Sequence, residues 1–165
     1  MNILLLGSGG REHALAWKMQ QSKLCNKLFI APGNAGTASI GINIDVNAND
    51  FNAQKQFCLE NKIDIVVVGP EEPLVNGIYD FYTNDDELKN LIIVAPSKKA
   101  AQLEGSKSFS KQFMQRHQIP TAAYAEFTLE NFEEGKKYIS NHSLPIVLKA
   151  DGLAAGKGVI ICETT

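Results

Sequence analysis

Four apolar residues, Ile3–Leu6, run directly into the glycine cluster Gly7-Ser8-Gly9-Gly10, and a helical pattern with Leu15 and Met19 four apart follows at once. A strand that ends in glycines and turns straight into a helix is the opening of an α/β unit. It constrains the chain more than any other stretch. The continuation keeps the alternation. KLFIA (27–31) reads as a second strand, 50–61 as a helix with Ala53 and Phe57 on one side, and IDIVVVG (63–69) as a strand. A helix over 74–83 and a strand in NLIIVAP (90–96) follow. The unbroken β-branched run of IDIVVVG suits a strand covered on both faces, and strand–helix alternation implies a parallel sheet with right-handed crossovers. The expected fold class is therefore α/β, with a Rossmann-like parallel sheet.

After Pro96 the pattern changes. SKKAAQLEG reads as a short helix with Ser97 as N-cap and Gly105 at its end. SKSFSKQFMQRH reads as another, capped by Ser106, with Phe109 and Phe113 facing inward. AYAEF is expected as a strand, 129–140 as a helix, and LPIVLKA and GVIIC as strands flanking a glycine loop. This places a first domain at 1–100 and the start of a second at 101–165. The second region ends on CETT directly after an apolar strand, and a hairpin with helices makes a poor core. The chain is expected to be the N-terminal piece of a longer protein.

A net charge of -2 gives no electrostatic reason to expect nucleic acid or an anionic membrane as partner. Cys25, Cys58 and Cys162 are odd in number and widely spaced, so neither a disulfide framework nor a metal site is expected. No run approaches the roughly 18 apolar residues of a membrane span, and no basic segment precedes the first strand. The expected setting is the cytoplasm, with reduced thiols.

The first glycine loop resembles a dinucleotide fingerprint without being one. Gly7 and Gly9 match the first two glycines of G-x-G-x-x-G, but Glu12 holds the third position. The second strand also ends in Ala31, Pro32 and Gly33 rather than in an acid that would bind ribose hydroxyls. A dehydrogenase is thus the weakest reading. The anion-binding physics remains, because glycines admit close approach and the following helix offers unpaired N–H groups. Arg11, Glu12 and His13 line the same mouth. Two further loops leave the same sheet edge, APGNAGTA (31–38) and GPEEPLVNG (69–77). Asn34, Gly36 and Thr37 could hold a sugar phosphate, and Glu71 could accept from an amine or a ribose hydroxyl. Taken singly, the first loop is also readable as a tight turn, and GPEEP as a Pro-rich turn with acids at a helix start.

The second glycine loop, in VLKADGLAAGKGVII (147–161), is strand–loop–strand and not a Walker loop. Gly152, Gly156 and Gly158 with Lys149 and Lys157 suit a flexible cover over a triphosphate. Lys107 is a third basic candidate. A plain β-hairpin is the alternative. His117 and His142 fall at helix ends, where capping or solvation accounts for them.

Together, GSGGREHALAWK, APGNAGTA, IDIVVVGPEEPLV, AAQLEGSKSFSKQFMQRHQIPTA and PIVLKADGLAAGKGVI resemble the phosphoribosylamine–glycine ligase family, also called glycinamide ribonucleotide synthetases. The resemblance extends over essentially the whole chain, whereas the family's chains are more than twice as long. It implies a Rossmann-like, pre-ATP-grasp domain followed by the incomplete start of an ATP-grasp domain. It further implies an ATP-dependent ligase of purine synthesis that joins glycine to 5-phosphoribosylamine through a glycyl phosphate. By position, Gly9, Gly10, Arg11, Glu12 and His13 would surround the phosphoribosylamine, with Asn34, Gly36, Thr37, Gly69, Pro70 and Glu71. Lys107 and Lys149 would contact ATP phosphates, with Gly152, Gly156, Lys157 and Gly158 as a lid. The cofactors implied are ATP and Mg²⁺, the metal ligands lying beyond residue 165. The partners implied are small molecules only, with a monomer expected and no ligase activity expected from the 165 residues alone. Other ATP-grasp ligases and a non-catalytic sugar-phosphate module are the alternatives.

Overall fold

The computed structural model describes residues 1–154 and 156–164. They form two units, Met1–Ala101 and Gln102–Thr165. The first unit is a five-stranded parallel sheet. Its strands are β1 (Asn2–Gly7), β2 (Lys27–Pro32), β3 (Ile42–Asn43), β4 (Ile65–Val68) and β5 (Ile92–Val94), in the order β3-β2-β1-β4-β5. The chain winds outward from β1 to β3 and then returns to add β4 on the other side of β1. The carboxyl ends of β1 and β4 thus flank the point where the winding direction reverses, the usual ligand crevice of such sheets.

Alternation along β1 builds both layers. Leu4 and Leu6 join Phe29, Ala31 and Val66 under helices α2 (Phe51–Glu60) and α4 (Ile78–Thr83). Ile3 and Leu5 join Leu28 and Ile30 under α1 (Gly10–Gln20), which contributes Ala16. Covering on both faces is why these strands read as continuous apolar runs.

Several expectations are corrected. The helix expected over 74–83 is two helices, α3 (Glu71–Asn76) and α4, divided at Gly77, whose φ of +96° only glycine adopts readily. The fully buried positions of α1 are Glu12 and Ala16, with Leu15 and Met19 only packed at the margin. In α2 the fully buried pair is Gln54 and Cys58, one position from Ala53 and Phe57. Gln54 can sit there because its Nε2 donates to the Asn47 carbonyl and its Oε1 accepts from the Tyr82 hydroxyl. Burial pushes the Cys58 thiol up to about 11. A thiol kept protonated and enclosed is a poor nucleophile. Under native conditions at pH 8, an aromatic disulfide reagent is expected to modify Cys25 and Cys162 and to spare Cys58 until denaturant is added; mass spectrometry of the labelled peptides checks this.

The second unit contains α6 (Lys107–Arg116), α7 (Phe132–Ser140) and the antiparallel pair β6 (Ile146–Lys149) and β7 (Val159–Cys162). The short helix α5 (Lys98–Gly105) precedes α6. Ser106 caps α6 as expected, accepting from the Phe109 amide at 3.1 Å, whereas Phe109 and Phe113 are half-buried rather than inward. AYAEF is not a strand. Its backbone pairs with neither β6 nor β7, and its rings pack instead: Phe127 lies against Tyr138, and the Lys111 ammonium sits over Tyr124. No described helix is long and apolar enough to cross a membrane.

Candidate functional site

Three loops meet where β1 and β4 end. From Gly7 the chain passes through Ser8 and Gly9 into α1. Among the described residues, the backbone N–H groups of Gly10, Arg11 and Glu12 have no acceptor. They form an unfilled donor set at the positive end of the helix. Glu12 does not face the mouth. It is 3% exposed, and its Oε2 accepts from the Gly9 amide at 2.8 Å. Two glycines make its space: a Cβ on Gly7 would fall 2.5 Å from Glu12 Cγ, and one on Gly69 would overlap the carboxylate. The residue that departs from the dinucleotide pattern is therefore a buried wedge between the ends of β1 and β4.

Arg11 ties this wedge to the third loop. Its Nε donates to Glu12 Oε1 at 2.8 Å and its Nη1 donates to Glu71 Oε1 at 2.9 Å. The hydrogen bond from Arg11 holds the Glu71 carboxyl below the usual carboxylate range, and Glu71 followed by Glu12 pushes the guanidinium's own value up. Pro70 is the N-cap of α3, in extended conformation, and the Gly69 amide donates to the Leu6 carbonyl.

The second loop is fastened by Asn34. Its Oδ1 accepts from the amides of Gly36 (2.7 Å) and Thr37 (3.0 Å), and its Nδ2 donates to the Ser8 carbonyl (2.8 Å). Thr37 is fully buried, its Oγ1 bonded to Asn34 and to Asn43 Oδ1. The His13 ring lies directly over Gly36. Gly9, Gly10, Arg11, Glu12, His13, Asn34, Gly36, Thr37, Gly69, Pro70 and Glu71 are thus brought to one edge. Asn34, Thr37 and Glu12 spend their side chains on the scaffold, which leaves Arg11, Glu71, His13 and the helix amides presented. Asn43, which also donates to the Asn34 carbonyl, carried no sequence signal. A hollow of about 530 Å³, bordered by Asn47, Asn49 and Phe81, is lined by none of these residues.

The second candidate group lies within the other unit. Lys149 ends β6, and the Gly158 carbonyl accepts from the Ala150 amide, closing the loop's base. Gly152 and Gly156 face open space and Lys157 lies between Gly156 and Gly158, while the Lys107 ammonium reaches the Gly152 carbonyl at 2.7 Å. Asp151 was not singled out by the sequence, although it stands immediately before the glycines. Its carboxylate accepts from the Ser106 hydroxyl and from the amides of Lys107 and Ser108, fastening the loop's root to the start of α6. Burial works against ionisation of Asp151, but the amides of Ser108 and Gly152, with the Ser106 hydroxyl, outweigh it and hold the carboxyl low. A lowered folded-state value stabilises the folded form above the unfolded value of about 4, and the benefit disappears as pH falls through the folded value. Asp151→Asn is expected to lower the melting temperature at pH 7, and the difference from the parent chain is expected to shrink toward pH 3 in paired thermal scans. Among the described residues, no cluster of three His, Cys, Asp or Glu could hold a metal ion.

Comparison with known proteins gives a consistent result. Residues 1–104 match the family model described as phosphoribosylglycinamide synthetase, N domain, and residues 105–165 the model for its ATP-grasp (A) domain. Over 163 residues the chain is 53% identical to phosphoribosylamine–glycine ligase of Clostridium acetobutylicum, covering 99% of this chain and 38% of that protein. The crystal structure of the phosphoribosylamine–glycine ligase from Thermotoga maritima superposes with a TM-score of 0.71 at 33% identity, over 99% of this chain and 36% of that one. N5-carboxyaminoimidazole ribonucleotide synthetase from Thermus thermophilus, at 22% identity, TM-score 0.65 and coverage of 99% and 41%, shares the fold.

Proposed function

The chain belongs to the phosphoribosylglycinamide synthetase family, and from that premise we propose that its first unit binds 5-phosphoribosylamine at the β1–β4 crevice. On the same reading, its second unit supplies part of an ATP clamp. The chain spans about 38% of the length of the relative named phosphoribosylamine–glycine ligase, and on this reading the reaction it serves joins glycine to that amine to give glycinamide ribonucleotide. The observation that carries the reading is the chain of contacts Gly9–Glu12–Arg11–Glu71, which sets a cation, a carboxylate and free helix amides around one opening. A phosphate suits the amides and Arg11, and an amine or hydroxyl suits Glu71. Positioning is the main task, because a held amine attacks an activated carboxyl far faster than a free one.

ATP, when bound, supplies the phosphoryl group that turns the glycine carboxylate into a competent electrophile. The residues of the second unit suit it: Lys149 and Lys157 flank the glycines in sequence, a Cβ on Gly152 or Gly156 would meet nothing within 4 Å, and the Lys107 ammonium lies 2.7 Å from the Gly152 carbonyl. Loop closure over that group would exclude water from the reactive acyl phosphate.

Calorimetric titration of the chain with glycinamide ribonucleotide tests the reading, with NAD alongside. Binding of the ribonucleotide, weakened at least tenfold by Arg11→Ala, is expected. Binding of NAD with no response to the ribonucleotide would overturn it, since Glu12 would then be no barrier to a dinucleotide.

A further inference from the structure

We propose that Glu71 is a specificity-determining residue: it keeps Arg11 neutralised, so that the crevice accepts phosphate ligands carrying an amine and rejects those without one. The inference rests on the reading above and adds a selection rule to it.

The two carboxylates on Arg11 are not equivalent. Glu12 is immobilised, enclosed by Gly7 and Gly69 and held by the Gly9 amide. Glu71 stands at the first residue of α3 with its side chain 45% exposed. One carboxylate is therefore fixed scaffold, while the other is free to change partner. As it stands, one guanidinium faces two carboxylates, and the cluster is negative overall. A bare phosphate approaching the free amides of Gly10, Arg11 and Glu12 meets that negative charge, and a guanidinium already balanced by two carboxylates offers it little net attraction while it still holds Glu71.

A ligand with an amine removes the conflict. The amine N–H groups donate to Glu71, which frees Arg11 Nη1 for the phosphate, and no charge is left without a partner. Arg11 has five N–H donors and commits two of them here, so it can keep Glu12 throughout the exchange. A hydroxyl in place of the amine offers Glu71 one neutral donor, which does not replace a guanidinium. Rejection by a stranded carboxylate is more selective than loss of a favourable contact.

The test uses two stable ligands that differ in one group: the carbocyclic analogue of 5-phosphoribosylamine and the same compound with hydroxyl replacing the amine. Each is titrated into the chain and into Glu71→Gln, with circular dichroism to confirm the fold. The parent chain is expected to favour the amine by about tenfold or more, and Glu71→Gln to reduce that preference to within about threefold, because it removes the stranded charge. A merely structural Glu71 would weaken both ligands together and leave the ratio unchanged. Equal binding of the two by the parent chain, or a preference that survives Glu71→Gln, would overturn the proposal while leaving the phosphoribosylamine reading intact. Binding of neither, together with silence toward glycinamide ribonucleotide, would overturn both.

Discussion

Gly7→Val is expected to destabilise the first unit by about 2–6 kcal/mol and to abolish ligand binding at the crevice, a sum of backbone strain and overpacking of about 1–3 kcal/mol each. The strain arises because Gly7 has φ +126°, which a β-branched residue does not adopt without cost. The overpacking arises because the new side chain enters the space of Glu12, whose Cγ and Cδ would lie 2.5 and 2.7 Å from its Cβ. Displacing Glu12 releases the Gly9 amide and Arg11 together, so the effect is not confined to the turn. Urea unfolding followed by Trp17, the single tryptophan and a residue of α1, checks the magnitude. Gly10→Ala is the control. Nothing lies within 4 Å of a Cβ there, and its expected effect is within about 0.5 kcal/mol. Equal effects of the two substitutions would refute the wedge account.

Leu5→Ala is expected to cost about 2–5 kcal/mol, the usual range for a leucine truncated in a core that relaxes only in part. Leu5 is fully buried between β1 and α1, with Leu28, Ile30 and Ala16 around it. Loss of that packing loosens the helix whose first turn faces the crevice, so on the proposed reading affinity should fall along with stability. Val94, 52% exposed on the edge strand β5, provides the contrast, and Val94→Ala should shift the urea midpoint little. The same denaturation experiment reads both.

The strands and the glycine loops were legible because their signals are local. Ile3–Leu6, 27–31 and IDIVVVG are apolar runs, and two faces of cover explain them. What was not legible depends on residues far apart in sequence. Gln54 is buried only because Asn47 and Tyr82 satisfy it. In sequence Glu12 looks like a misfit in a glycine position; Gly69, from another loop, makes the room. Asn34 reads as a contact for a sugar phosphate; that its Nδ2 also fastens the Ser8 carbonyl of the first loop shows only in the fold. The two-residue β3 is too short to show any periodicity. AYAEF has strand composition without a strand to pair with, and composition alone could not reveal that.

The enclosure of Glu12 also bears on how the protein is made. During synthesis the N-terminal strand, its helix and β2 emerge first and can pair at once. Glu12 is then walled on one side only, by Gly7, with its carboxylate open to water. Gly69 arrives 57 residues after Glu12, once β4 docks beside β1. Only then is the carboxylate sealed and Arg11 stretched across to Glu71. The crevice is consequently a long-range feature, assembled at the end of the unit's folding rather than at its start. A ribosome-tethered nascent chain ending before residue 65 contains β1, β2, β3, α1 and α2 but neither β4 nor the loop that carries Gly69 and Glu71, and should therefore lack the assembled crevice.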